Sequence, residues 1–246
     1  MKIAILADIH GNLEALRACL AHAEREGADM QVFLGDLVGY GADPVACLGL
    51  LAEHAARGAL LVRGNHDDAA LGGLCEDMNV IAREATYWTR TQLGDRERDF
   101  LASLPYAARR GDLLFVHAGL DAPGNWDYVT SSLRAARCMD AAQANVTFAG
   151  HVHHSSLYFA AGSGVQHFQP VPGVPIPLTG RRRWLAIAGS VGQPRDGNNA
   201  AAYALYDEEE RMLKYFRVPY DHMTAARKIL AAGLPERLAL RLQKGE

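Results

Sequence analysis

The chain has 246 residues, 49% of them apolar, and a formal charge of −3. That supplies a full core for one large domain over residues 1–246, with material for a smaller lobe. Lys and Arg are scattered rather than massed, so a nucleic-acid surface is disfavoured and a small polar substrate fits better. Cys19, Cys47, Cys75 and Cys138 lie far apart without a CxxC pair, which argues against a zinc knuckle and for reduced thiols in a cytoplasm. The opening apolar run is cut at Asp8, too soon for a signal peptide, and no other run reaches the length of a membrane span.

"KIAIL" reads as a buried strand. The segment after it predicts a helix with Asn12 as cap, Leu13, Leu16 and Leu20 on one face and Gly27 as stop. "MQVFLGD" repeats the strand, and a second helix follows with Asp43 as cap, Pro44 at its first position and Gly58 at its end. "ALLVRGNHD" predicts a third strand running into a loop, residues 78–104 two helical pieces split by "GDRER". "DLLFVHAG" and "NVTFAGHVH" are further strands with His at their far ends. This alternation predicts a mainly parallel sheet with ligands gathered at the carboxyl ends of its strands. From about 156 to 218 the period becomes two, in "SLYFA", "RRRWLAIAG", "AAYALYD" and "RMLKYFRV", which predicts antiparallel strands in a second sheet. The Pro-rich "QPVPGVPIPLTG" predicts a loop between them, and two helices close the chain.

The polar residues at these strand ends carry the chemistry. In an extended segment residues i and i+2 point the same way, so Asp8 and His10 can approach one ion, and His151 and His153 a common centre. Asp36 has two carboxylate oxygens, enough to touch two cations; Asn65 adds a neutral oxygen and His117 another imidazole. A mixed nitrogen and oxygen set without thiolate suits Mn, Fe, Zn or Ni better than Ca or Mg.

The ordered set "DIHGN", "GDLVGYG", "GNHD", "VHAG" and "GHVH", spanning residues 8–153, resembles the calcineurin-like metallophosphoesterases, above all their small bacterial phosphodiesterase and phosphatase members. A given four-letter string arises by chance only about 0.002 times in a chain this long, so five in family order carry weight. The resemblance implies an α/β fold, a four-layer α/β/β/α sandwich of two mixed sheets flanked by helices. It implies that Asp8, His10 and His153 hold one metal, Asn65, His117 and His151 another, and that Asp36 bridges them. Two such ions polarise a bridging water to hydroxide and neutralise the phosphate it attacks. His66 is then the candidate general acid, or a hydrogen-bond donor to the leaving oxygen.

One departure bears on mechanism. Protein Ser/Thr phosphatases of this superfamily carry Asp-Arg after the GD motif, the Asp backing the catalytic His and the Arg gripping phosphate; here Gly39 and Tyr40 stand there. That argues against a phosphoprotein phosphatase and leaves the orientation of His66 open, with Asp67 a weak substitute. Arg195, in "GSVGQPRDGNN", is a candidate to reach phosphate, the alternative being an ordinary turn. Tyr40, Trp126 and Tyr158 are candidates to stack on a base, or to fill the core. His154 is a candidate substrate contact, though as a neighbour of His153 it should face the other way. Arg181–Arg183 enter a strand and read as a solvated edge more than an anion site. The expected activity is hydrolysis of a phosphomonoester or phosphodiester. The alternatives are diadenosine polyphosphate hydrolysis and a non-catalytic binding scaffold of the same fold, the latter expected to have lost ligands that this chain keeps. Substrate choice should lie in loops 40–43, 121–128 and 164–178.

Overall fold

The computed structural model describes residues 1–73, 75, 78–120, 124–162 and 164–246. In chain order they form β1 (Lys2–Leu6), α1 (Leu13–Arg25), β2 (Met30–Phe33), α2 (Pro44–Ala56), β3 (Leu60–Leu61), α3 (Asn65–Ala70) and α4 (Val80–Gln92). Then come α5 (Asp95–Ser103), β4 (Ala107–Arg110), β5 (Leu113–Val116), α6 (Ser132–Ala142), β6 (Val146–Ala149), β7 (Ser156–Ala161) and β8 (Gly164–Phe168). The rest comprises β9 (Ile176–Pro177), β10 (Trp184–Ile187), β11 (Ala201–Asp207), β12 (Met212–Val218), α7 (His222–Ala231) and α8 (Glu236–Lys244).

The strands make two mixed six-stranded sheets flanked by helices, ordered β3-β2-β1-β11-β12-β9 and β4-β5-β6-β10-β7-β8. Strand β1 shows why they stack. Its alternate residues Ala4 and Leu6 join the core under α1 and α2, whereas Ile3 and Ile5 join the core shared with the second sheet. On the far side, Ala135, Cys138 and Met139 of α6 pack on Leu114, Leu185 and Ile187 of the second sheet. A fourth cluster joins Ala82 and Ala85 of α4 to Ile229, Leu238 and Leu242 of α7 and α8, with Tyr40 among them. Among the described residues, no helix is long and apolar enough to cross a membrane.

The antiparallel C-terminal strands do not build a sheet of their own. β7, β8 and β10 complete the sheet begun by β4–β6, while β11, β12 and β9 complete the one begun by β1–β3. β10 is also parallel to β6, with Trp184 opposite Val146. Local periodicity reports that a segment is extended, not which edge it joins. The Pro-rich loop contains β9, whose Ile176 pairs with Leu213. β4 and β8 carry no strand signal in the sequence, because "AARR" and "GVQHF" are exposed edge strands without a buried apolar face. Arg183 reaches Asp140 at 2.8 Å and Arg182 lies 5.0 Å over the Phe159 ring, so the arginine run is a solvated edge.

Phe148 is fully buried between the sheets, with ring centroids 5.6 Å from Phe115 and 5.6 Å from Tyr206. Phe148→Ala should therefore cost about 3–5 kcal/mol. Urea unfolding checks this; a loss below about 1 kcal/mol would show that the two sheets do not share this core.

Candidate metal centre

The pairing of parallel neighbours continues past the strand ends as a lacing of loops. Asp8 N–H donates to Gly35 O at 3.1 Å, His10 N–H to Asp36 O at 2.8 Å and Gly11 N–H to Leu37 O at 3.1 Å, so the loops after β1 and β2 travel together. Gly35 and Gly64 let the next loop join them: a Cβ on Gly64 would fall 2.3 Å from Asp36 N, and one on Gly35 2.6 Å from Gly64 N.

The pleat is not what aims the side chains. β1 ends at Leu6 and β6 at Ala149, and Asp8, His10, Asp36, His151 and His153 have φ of 53°, 49°, 50°, 67° and 66°. These left-handed turns, each costing on the order of 1–3 kcal/mol, replace the extended i, i+2 geometry expected for "DIH" and "GHVH". They also send His151 and His153 to different groups. Asp8, His10, Asp36 and His153 bring one ligand atom each within 4.8 Å of one another, and so do Asp36, His117 and His151, with Asp36 common to both. Asn65, the first residue of α3 rather than a strand end, places Oδ1 3.1 Å from His117 Nε2.

The hydrogen bonds behind the imidazoles show that these groups fit cations. His10 Nδ1 faces Val38 O at 3.2 Å, His117 Nδ1 faces Leu34 O at 2.7 Å and His153 Nδ1 faces Gln193 O at 2.6 Å. A carbonyl oxygen only accepts, so each Nδ1 carries hydrogen and, on a neutral ring, leaves Nε2 with a bare lone pair. Burial foremost holds the pKa of His10 and His153 well below the usual histidine range, so both rings are neutral. Their Nε2 atoms nevertheless face each other at 3.1 Å, with Asp36 Oδ2 3.7 Å from His10 Nε2 and Asp8 Oδ1 3.7 Å from His153 Nε2. Lone pairs and carboxylates converging on one buried point suit a positive ion, and nitrogen with oxygen suits a transition metal.

Charge at the second group is balanced differently. Burial opposes protonation of His117, but Asp36 and Asp8 outweigh it and push the ring up to about 9. His151 Nδ1 lies 3.1 Å from His117 Nε2, and burial together with His117 pushes it down to about 3. Burial also pushes the Asp8 carboxyl up to about 7, against the pull of His117. In the chain alone, a proton on His117 thus supplies part of the positive charge that the carboxylates require.

His66 is 5% exposed, and its ring lies 4.9 Å from that of His10 and 4.4 Å from that of Tyr40. Its backbone N–H donates to Asp36 Oδ1 at 2.8 Å, while its Nδ1 is buried without a partner. Asp67 does not back it: Oδ1 accepts from Leu37 N and Val38 N at 2.9 and 3.2 Å, and Oδ2 from Gly64 N at 2.9 Å. Packing orients the ring instead. A Cβ at Gly39 would fall 2.7 Å from His66 Nδ1, so only glycine fits beside it, at φ +89°.

Arg195 reaches this region, its guanidinium carbon 5.6 Å over the Tyr40 ring, and Tyr40 is buried. His154 lies apart: burial lowers its pKa, helped by His167 on β8, and no contact joins it to the metal-ligand groups among the described residues. Tyr158 is buried in the core. An open cleft of about 620 Å³ beside Asn65, His66 and His151 is walled by Tyr40, Trp126 and Tyr128. Tyr128, which no sequence motif marks, stacks on His151 at 3.9 Å and is half exposed. The carbonyls of Leu34, Val38 and Gln193 were equally out of reach, since a backbone acceptor leaves no signature in residue type. Of loop 121–128, residues 121–123 lie outside the described residues.

A two-sheet sandwich with buried Asp and His groups able to hold metal ions at its strand ends defines a metal-binding hydrolase. The chain belongs to the calcineurin-like phosphoesterase family, whose model matches residues 1–173, and it is a hydrolase acting on phosphate esters. It is 34% identical to the uncharacterized protein MJ0912 of Methanocaldococcus jannaschii, covering 99% of this chain and 98% of that one. It is 36% identical to a metallophosphoesterase from Sphaerobacter thermophilus, with a TM-score of 0.88 over 100% of this chain and 99% of the other. A hypothetical protein, PH1004, from Pyrococcus horikoshii OT3 shares the fold at a TM-score of 0.80 and 19% identity, covering 100% of this chain and 98% of that one.

Two outcomes are expected. Because His117 is protonated below about 9 and a ligand must be neutral, metal binding at pH 7.5 should release about one proton and tighten as pH rises. Calorimetry in buffers of different ionisation enthalpy measures this, and proton-neutral binding would contradict the charge balance above. Gly39→Ala, which forces a Cβ against His66, should lower stability by about 1–3 kcal/mol and turnover by more than metal content, as thermal melts and metal analysis will report.

Proposed function

We propose that the chain hydrolyses a phosphomonoester or phosphodiester at a dinuclear centre in which Asp36 bridges two ions. Asp8, His10 and His153 would hold one, and Asn65, His117 and His151 the other. The reading rests above all on the converging Nε2 atoms of His10 and His153 beside the carboxylate that both groups share. When bound, a pair of Mn, Fe, Zn or Ni ions supplies an activated water and neutralises the phosphate oxygens.

The chain's own residues do the remainder. The carbonyls of Val38 and Gln193 hold His10 and His153 in the tautomer that leaves Nε2 free, and that of Leu34 would do the same for His117 once its ring loses a proton. His66, kept neutral by burial and packed against Tyr40, donates a hydrogen bond through Nε2–H to the leaving oxygen without giving up its proton. Arg195 grips a phosphate oxygen and Tyr40 supports it from beneath. Reduced buried thiols such as Cys19 and the net charge of −3 agree with an intracellular enzyme acting on small esters as a single domain. The aromatic wall of Trp126 and Tyr128 along the cleft favours a second reading, a dinucleotide polyphosphate substrate whose base stacks there.

With Mn added, wild type should release p-nitrophenol from p-nitrophenyl phosphate or its bis ester. His66→Ala should lower kcat by about 10²–10⁴ while metal content is retained. Equal turnover in the two proteins would remove His66 from the chemistry, and no metal-dependent release from wild type on either ester or on dinucleotides would remove the reading itself.

A further inference from the structure

Gln193 is a buried polar residue, 1% exposed, that touches both the first ligand group and Arg195. Its carbonyl accepts the His153 Nδ1 hydrogen at 2.6 Å. Its N–H donates to Ser190 Oγ at 2.9 Å, and that hydroxyl donates to Asp8 O at 3.0 Å. The main chain of Gln193 is thereby tied to Asp8 and His153 together. Its side chain turns to the arginine: Oε1 accepts from Arg195 Nη2 at 2.9 Å and Nε at 3.3 Å. Arg195 N–H in turn donates to His153 O at 3.1 Å.

A free arginine side chain samples many rotamers and loses that freedom when it grips an anion. One acceptor taking both Nε–H and one Nη2–H fixes the plane of the guanidinium beforehand and leaves three of its five N–H groups unused by Gln193. We propose that Gln193 is a positioning residue that presets Arg195 for phosphate, and registers it against His153 through its own main chain. This rests on the phosphoesterase reading of the site. A buried glutamine could instead only fill space, and Gln193→Met separates the two roles: it keeps the length and the main-chain carbonyl but removes the Oε1 acceptor.

The test uses zinc-loaded full-length protein. In wild type the Arg195 Nε–H should give a slowly exchanging nitrogen-15 correlated NMR signal, lost in Gln193→Met. The dissociation constant for inorganic phosphate should rise about tenfold, and KM for the ester should rise by more than kcat falls, with zinc content unchanged. In an Arg195→Ala background the same change should add less than about twofold, because its effect passes through the arginine. An unchanged Nε–H signal, loss of zinc, or a full effect without Arg195 would each overturn the proposal. If wild type neither bound phosphate nor hydrolysed an ester, the phosphoesterase reading would fall, while the Nε–H signal would still decide whether Gln193 presets Arg195.

Discussion

Two neutral imidazoles whose unshared nitrogens point at each other across 3.1 Å, with two buried carboxylates alongside, form an arrangement that a protein interior does not sustain without positive charge. Much of the architecture exists to hold it. The tautomers follow from backbone carbonyls that can only accept, and those carbonyls belong to Val38, Leu34 and Gln193, in the loops after β2 and β10. A shift in strand register would therefore move the hydrogen bond acceptors as well as the ligands.

The same constraint explains where strain is concentrated. Five candidate ligands and Tyr40 have left-handed backbones, a conformation that costs energy for any residue with a Cβ. Such turns persist because the loops are overdetermined. Asp67 fastens Leu37 and Val38 to Gly64, Asn12 Nδ2 fastens Gly192 O at 2.9 Å, and Lys228 on α7 ties Glu14 to Asp43 at 2.5 and 2.7 Å. Asp43 begins α2 without capping it through its side chain, which serves that ion pair instead. The helices beneath the first sheet thus brace the loops as well as cover a core.

Residue type and order made much of the site legible. Asp8, His10, Asp36, Asn65, His117, His151 and His153 stand where an apolar run ends, and burial of all of them but Asn65 requires a partner for each. What spacing misjudged was the path by which they meet: the i, i+2 rule holds for a pleat, and these residues lie beyond it in turns. The sheet pairing of β7–β12 was hidden for a related reason. Period-two sequence marks both sheets equally, and only the inter-sheet packing of Phe148, Tyr206 and Ile5 decides which strand goes where. The short edge strands and α3 lack any periodic signal, the latter being six residues of which His66 enters the site, Asp67 ties loops and Asp68 pairs with Arg63. His154 shows the reverse: adjacency in sequence suggests a role, while the charge that acts on its ring is that of His167.

Gly39 and Tyr40 are a different solution to orienting a histidine, not the loss of one. The His66 ring occupies the volume that any side chain at position 39 would need, so a carboxylate there and this placement of His66 exclude each other. Packing against His10 and Tyr40 fixes the ring without raising its basicity, whereas a buried acceptor behind Nδ1 would favour the charged form. A ring held neutral adds no further positive charge beside His117 and Arg195, two groups that already lower its proton affinity. Tyr40, next to Gly39, presents its ring face to the Arg195 guanidinium carried by the loop after β10, the group proposed to grip phosphate. In the proposed reaction the ester would lie between Arg195, in the loop that joins β10 of one sheet to β11 of the other, and His66 on α3.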